Sequence, residues 1–466
     1  MTDVTSGAYA PAAGRAANAY YFIAWRWHFY AGLYVIPFLL MLATTGLVML
    51  WISWGAGLGA ERMAVTPDGP PLPVSELQAI AEAATPDGRA VQYVAPLASD
   101  RIASFAVETE SGTTGIALDP YSGKVMHEFP WRAGWYDFAS NIHGSLMLGT
   151  LGDRLIEIAA SLAILLIATG LYLHWPRGGT GWREIFLLRL SARGRSFWKS
   201  LHGTLGIWIS LMLVVFLLSG LSWSGIWGER IVQAWNSFPA EKMGAPLSDA
   251  THAAMNHDGA HEVPWGLEQT PMPESGSVAG ARAVAGNVDI DGVAEFAREL
   301  GFAGRFQISL PRDETGVWTI SHDSMSNDGP DPAADRTIHI DQYTGNVLAD
   351  VRYSDYSPYA KAMAWGIAFH EGDMGIWNLV LNTVFCLSVI MVSLSGLVMW
   401  WKRRPSGRTR LAAPPKPRDL PLWKGAAVLV ITLGALFPMG GLAILAVLIA
   451  DATLLRLLPN VKRAMS

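Results

Sequence analysis

Four long apolar runs, residues 27–54, 155–175, 201–227 and 376–401, limit what this chain can fold into more than any other feature. A bilayer core is about 30 Å thick and takes about 20 residues of helix to cross, and each run is that long. With no water to satisfy backbone N–H and C=O groups, such a run must close its hydrogen bonds within itself as a helix. The chain is 51% hydrophobic and 16% charged, and long polar blocks separate the runs, so a membrane protein with sizeable soluble portions is expected. A fifth region, 423–458, is too long for one span. "LFPMGG" (436–441) near its middle places proline and paired glycine where a turn belongs. It reads as a hairpin of two short spans, six in all, with one long kinked helix as the alternative. The first run lacks a short apolar core followed by a small-residue cleavage site, so it reads as a span and not as a cleavable signal.

Basic residues in the short loops orient the spans. Residues 176–200 carry six Lys/Arg against Glu184 alone, and residues 402–424 carry eight against Asp419 alone. Block 228–369 holds 20 Asp/Glu against 9 Lys/Arg, as expected of a translocated domain. The expected order is a cytoplasmic tail (1–24), a span (25–54), a periplasmic domain (55–140), a span with its lead-in (141–175) and a cytoplasmic loop (176–200). A third span (201–227), a second periplasmic domain (228–369), a fourth span with lead-in (370–401) and a loop (402–422) follow. The C-terminal hairpin (423–458) and a cytoplasmic tail (459–466) complete it. Both termini are expected in the cytoplasm of a bacterium bounded by this inner membrane.

The chain repeats itself. The first run opens "AWRWHFYAGLYV" and the third "FWKSLHGTLGIW"; they end "TTGLVMLW" and "LSGLSWSG". The second and fourth correspond as "IHGSLMLG…ATGLYLHWPR" and "FHEGDMGI…LSGLVMWWKR". Between the helices, "LDPYSGKVM" (118–126) answers "IDQYTGNVL" (340–348), each with the Ser/Thr-Gly turn and alternating apolar residues of a β-hairpin. A short helical pattern, "VSELQAIAEAA" or "DGVAEFARELG", lies upstream of each. A unit of helix, small α+β domain and helix thus occurs twice in one orientation, so the copies relate by an axis along the membrane normal. The fold class expected is mainly α: a duplicated four-helix membrane core, two periplasmic α+β domains and a C-terminal transmembrane hairpin.

Histidine recurs at matching places in these copies. His28 matches His202, and His143 matches His370; one isolated histidine at a membrane edge usually caps a helix or joins the interfacial aromatics. Two pairs across a pseudo-two-fold axis are what bis-histidine haem ligation in a helix bundle requires. Gly32 and Gly206 follow their histidines by four residues, and Gly46 and Gly220 by 18, which is five whole turns, so all share the histidine face. Such glycines clear room for a flat macrocycle; close helix packing is the competing reading. His174 has no histidine in the other copy, where Trp400 stands, and is the alternative inner ligand or a propionate partner. His143 to Gly170 spans 27 residues but His370 to Gly396 only 26, so an irregular turn is expected in "MLGTLGD".

Other signals are weaker. The net charge of −5 argues against nucleic acid as a partner, and one cysteine, Cys386, builds neither a disulfide framework nor an iron–sulfur site. No GxGxxG dinucleotide fingerprint, P-loop or HExxH appears. His252, His257 and His261 read as part of a solvated insertion, with metal binding as the alternative. Glu157 reads as a partner of Arg154, with proton relay as the alternative.

The "LHGTLG" and "WHFYAGL" helix starts, the TGL/SGL helix ends and the duplicated D-x-Y-[ST]-G-x-V hairpins resemble the PepSY-associated transmembrane family over about residues 20–404. The resemblance implies an iron-regulated inner-membrane protein, and within it a haem-containing ferric-siderophore reductase. It gives His28, His202, His143 and His370 the role of ligands to two haems, of b type because no CxxCH attachment motif exists. It implies a ferric siderophore as substrate and, in the absence of a fused reductase domain, quinol or a separate cytoplasmic reductase as donor. An iron or siderophore transporter, and a non-enzymatic inhibitor or sensor module, are the alternatives.

Overall fold

The computed structural model describes residues 12–177, 181–233, 244–256, 262–404, 411–415 and 424–453. In chain order the helices are α1 (Ala12–Gly55), α2 (Val74–Ala84), α3 (Trp135–Ser145), α4 (Thr150–His174), the single turn α5 (Arg183–Phe186), α6 (Arg195–Leu221), α7 (Ile290–Glu299), α8 (Pro358–Glu371), α9 (Ile376–Arg403), α10 (Lys424–Leu436) and α11 (Pro438–Ala452). The strands are β1 (Arg89–Val94), β2 (Ala103–Thr109), β3 (Gly112–Leu118), β4 (Val125–Pro130), β5 (Leu247–Thr251), β6 (Pro271–Pro273), β7 (Ala281–Arg282), β8 (Gln307–Ser309), β9 (Val317–His322), β10 (Arg336–Asp341) and β11 (Asn346–Arg352). Two compact units divide the chain. One takes the residues up to Thr44, His143–Arg230 and those from Val384; the other takes Thr45–Ile142 and Ile231–Thr383.

The first unit is helical. Among the described residues, four helices are long and apolar enough to cross a membrane: Ala19–Gly55, Thr150–His174, Arg195–Leu221 and Ile376–Arg403. The third stops at Leu221, short of the expected residue 227. A turn stabilised by the Ser222 and Ser224 hydroxyls follows it, each bonding a carbonyl of the turn before. The C-terminal hairpin forms, broken at Phe437–Pro438, and its arms are shorter than the four long helices. α10 and α11 have 13 and 15 residues, fewer than the roughly 20 a straight span needs. Their two arms meet where Gly434 and Gly441 leave no room for a Cβ, and Gly440 sits on Ser161 of α4. Val35, Ala160, Ala163, Leu217, Leu221 and Phe437 form the shared interior.

The second unit corrects the picture of two separate small domains. Each copy forms its helix and strands as the periodicity predicts: Val74, Leu77 and Ala81 bury one face of α2, and Ile290, Val293, Ala294 and Ala297 one face of α7. The strands then join into one antiparallel sheet in the order β4-β3-β2-β1-β8-β9-β10-β11-β7. The seam is β1 against β8, with Tyr93 opposite Ile308. One core of Phe105, Ile116, Leu118, Ile308, Ile320, Ile338 and Ile340 fills the face under both helices. Fully burying each such side chain contributes about 1.5–3 kcal/mol. The helices also serve each other: α2 starts after Pro73 with no side-chain cap of its own, and Asp291 of α7 accepts from the Ser75 N–H at 3.0 Å.

The hairpin motif is structural in both copies. Asp119 accepts from the Tyr121 N–H at 2.9 Å, and Asp341 from those of Tyr343 and Thr344 at 2.9 and 2.8 Å. Gly123 and Gly345 take the left-handed backbone (φ 70° and 69°) that a residue with a Cβ adopts at a cost.

Candidate functional site

The structure brings His28 and His202 together. Their ring centroids lie 6.1 Å apart with the planes at 89°. Two imidazoles sharing one metal through nitrogen bonds of about 2 Å have centroids roughly 6 Å apart, so the spacing suits a common axial metal. Each ring is held from behind by the same device. His28 Nδ1 lies 3.0 Å from Thr169 Oγ1 on α4, and that hydroxyl donates its own proton to the Leu165 carbonyl at 2.7 Å. His202 Nδ1 lies 3.0 Å from both the Val392 carbonyl and Ser395 Oγ on α9, and Ser395 donates to Val392 at 2.7 Å. The Val392 carbonyl can only accept, so His202 Nδ1 carries the proton and its Nε2 the lone pair. With the Thr169 hydroxyl donating to Leu165, its oxygen accepts from His28 Nδ1 and His28 takes the same tautomer. A hydrogen bond from the second ring nitrogen is the usual way a ligating histidine is oriented.

Glycine makes this possible at two positions, Gly170 and Gly396. A Cβ on Gly170 would stand 3.1 Å from His28 Cε1, and one on Gly396 3.4 Å from His202 Cε1. The signal was in the sequence: Thr169-Gly170-Leu171 and Ser395-Gly396-Leu397 are the same tripeptide, hydroxyl first and glycine second.

The clearance glycines behave differently. A Cβ on Gly206 or Gly220 would meet nothing within 4 Å, and one on Gly32 only a Leu166 methyl at 3.9 Å. Tight helix packing therefore does not account for Gly206 or Gly220. Gly206, one turn from His202, leaves open space beside it, whereas Gly220 is exposed and lies about 27 Å from His202 along α6.

His174 neighbours His202 but is committed to other partners. Its Nε2 donates to the Ile185 carbonyl at 3.2 Å and its ring presses on Gly203, where a Cβ would come within 2.5 Å. His143 hydrogen-bonds the Leu42 carbonyl on α1. Leu42 is 14 residues beyond His28, or about 21 Å along the helix, so these two histidines mark levels far apart in the first unit. His370 belongs to the second unit, at the end of α8, where Asn382 Nδ2 donates to its carbonyl at 3.0 Å. The irregular turn expected in "MLGTLGD" is present: Leu146, Met147 and Gly149 have φ of 53°, 57° and 55°. It absorbs the extra residue, because α4 and α9 each begin 20 residues before their glycine (170 − 150 and 396 − 376).

The weaker candidates resolve structurally. Glu157 is 1% exposed and accepts from Arg154 at 3.5 Å and from the Trp227 N–H at 3.1 Å, which ties the turn after α6 to α4. His252 is not in a solvated insertion. It is fully buried and donates through Nδ1 to the Thr270 carbonyl at 2.7 Å, while its Nε2 meets His339 Nε2 at 2.9 Å. His257 and His261 lie outside the described residues. Among the described residues, no group of three or more His, Cys, Asp or Glu is arranged to hold a bare metal ion.

A family model of the PepSY-associated TM region matches residues 25–403 of the chain. No curated protein matches it.

Proposed function

The chain belongs to the PepSY-associated transmembrane family, and from that premise we propose that it carries electrons across a bacterial inner membrane to reduce a ferric siderophore. The observation that carries this reading is the His28/His202 pair, with both Nδ1 atoms tied back and both Nε2 atoms left as ligands. His28 and His202 would hold one haem b, with open space at Gly206 to admit it, and His143 and His370 a second. A bound haem supplies reversible one-electron chemistry, tuned by its axial ligands and burial. Thr169 and Ser395 fix the imidazoles, and the apolar helices around them exclude water.

The substrate side follows from ligand hardness. Siderophore oxygens are hard ligands that hold Fe(III) far better than Fe(II), so one electron per complex frees the metal. The donor is quinol or a separate cytoplasmic reductase. The basic loops 176–200 and 402–424 support a cytoplasmic placement for that end, with the sheet unit in the periplasm. Purified protein should show a reduced-minus-oxidised b-type spectrum and bind about two haems per chain by pyridine haemochromogen assay. A ratio near zero would end the redox reading.

A further inference from the structure

The nine-stranded sheet has one apolar face, under α2 and α7. Its other face is polar yet buried where the repeats join: Gln92, Gln307, Thr319, Thr337 and His339 are each under 5% exposed. Buried polar side chains in such number call for an explanation by their partners. Thr319 and His339 have theirs in each other and in His252. The rest face a cavity of about 20 Å³ that Asp323 and Glu262 also line. That is room for one water-sized occupant, which needs about 10–15 Å³.

Among the described residues, three oxygens at this cavity have no hydrogen-bond partner: Gln92 Oε1, Asp323 Oδ2 and Thr337 Oγ1. The orientation of Gln92 is forced. Gln307 turns its Nε2 to the Asp328 carboxylate at 3.4 Å, so its own Oε1 must accept from Gln92 Nε2, at 2.5 Å. Gln92 is left with its carbonyl oxygen toward the cavity. Asp323 is half used: Oδ1 accepts from the Ser326 N–H at 2.9 Å, and Oδ2 is bare although the residue is 1% exposed.

Charge points the same way. Four carboxylates, Glu262, Asp323, Asp328 and Asp335, are buried here. Arg132 pairs with Glu262 and Arg305 with Asp328, which leaves Asp323 and Asp335 without an ion pair among the described residues. Asp335 at least accepts from the Ser324 N–H and Oγ at 2.9 and 3.1 Å. A single water could satisfy the three oxygens, but it would leave the Asp323 charge uncompensated in the interior, which is expensive.

We propose that this cavity binds one hard cation, of the calcium or sodium kind, through the Asp323 carboxylate, the Gln92 amide oxygen and the Thr337 hydroxyl. Carboxylate, amide and hydroxyl oxygens suit hard cations. Of the softer groups that line the cavity, His252 has both ring nitrogens hydrogen-bonded and Met255 offers one thioether. Gln92 comes from the first repeat and Asp323 and Thr337 from the second, so the ion would clamp the seam between β1 and β8. This reading is independent of the haem assignment.

The test uses the full chain in detergent, treated with chelator and exchanged into choline chloride. Calcium chloride or sodium chloride is then titrated while thermal unfolding is followed, and retained metal is measured by elemental analysis. One of the two ions should raise Tm saturably by a few degrees, with about one equivalent retained per chain. Asp323→Asn should weaken that response at least tenfold, and Thr337→Val, which keeps the side-chain shape, should weaken it less. The proposal is overturned if neither ion moves Tm beyond the choline control. It is equally overturned if both variants respond as the wild type does, or if Asp323→Asn is as stable as the wild type without any ion, since the cavity then holds water beside a protonated acid.

Discussion

The two repeats of this chain agree at their centre and differ at their flanks. At the centre, His28 rests on Gly170 against Thr169 and His202 rests on Gly396 against Ser395, one arrangement made twice. At the flanks the copies have parted. α4 and α9 start 226 residues apart (376 − 150), so Glu157 of the first copy corresponds to Thr383 of the second. The hairpin aspartates are 222 apart (341 − 119), so the buried His339 corresponds to Ala117. His174 likewise faces Trp400 in the alignment. A duplicated site that needs both halves constrains both copies at once, whereas groups that serve one local contact are free to exist in one copy only.

The largest expected effect tests the shared centre. His202→Ala should drop bound haem from about two per chain to about one, because His28 cannot supply both axial positions, and His28→Ala should do the same. His174→Ala should leave haem content and the low-spin spectrum unchanged, since its Nε2 is committed to the Ile185 carbonyl. Loss of a haem in His174→Ala with none lost in His202→Ala would make His174 the inner ligand and break the symmetry.

The second test concerns a group present only in the second copy. Burial pushes the His252 imidazole down to about 4, and burial together with the neighbouring His252 pushes His339 well below its ordinary value. A histidine whose folded pKa is depressed contributes stability that is complete above its unfolded pKa and lost as pH falls toward the folded one. Between pH 6.5 and 4 the His252 shift corresponds to about 3 kcal/mol. Buried carboxylates such as Asp335, raised to about 7 by burial, respond with the opposite sign. The comparison is therefore with a His252→Gln, His339→Gln variant, in which those acids cancel. Denaturant midpoints for the sheet unit should fall more steeply on acidification in the wild type; equal slopes would mean the histidine pair does not titrate with folding.

The smallest effect tests the group present only in the first copy. Glu157→Ala strips the Trp227 N–H and Arg154 of an acceptor and should destabilise the helical unit by roughly 1–3 kcal/mol. Thr383→Ala removes a hydroxyl that, among the described residues, bonds the Leu379 carbonyl of its own helix at 2.8 Å, and should change stability by less than about 0.5 kcal/mol. Thermal unfolding of the two variants side by side would show whether the flank is as asymmetric as it looks.

Sequence alone determined whatever depends on neighbours along the chain. Apolar length fixed the four spans, period fixed α2 and α7, and Asp with Ser/Thr-Gly fixed both hairpin turns, because each is a local balance of burial and backbone geometry. The closeness of His28 and His202 was legible too, since duplication wrote the same helix start into the chain twice. What the tertiary structure decided is whatever joins distant segments. Nothing local tells β1 to pair with β8, whose residues lie some 215 positions away, yet that pairing turns two small domains into one sheet. Nor does local pattern say which imidazole nitrogen is turned back, that His252 is buried against His339, or that Gly206 opens on space while Gly170 holds a ring. Those depend on which surfaces meet, and a periodicity of two or of 3.6 residues says which face is apolar without saying what will cover it.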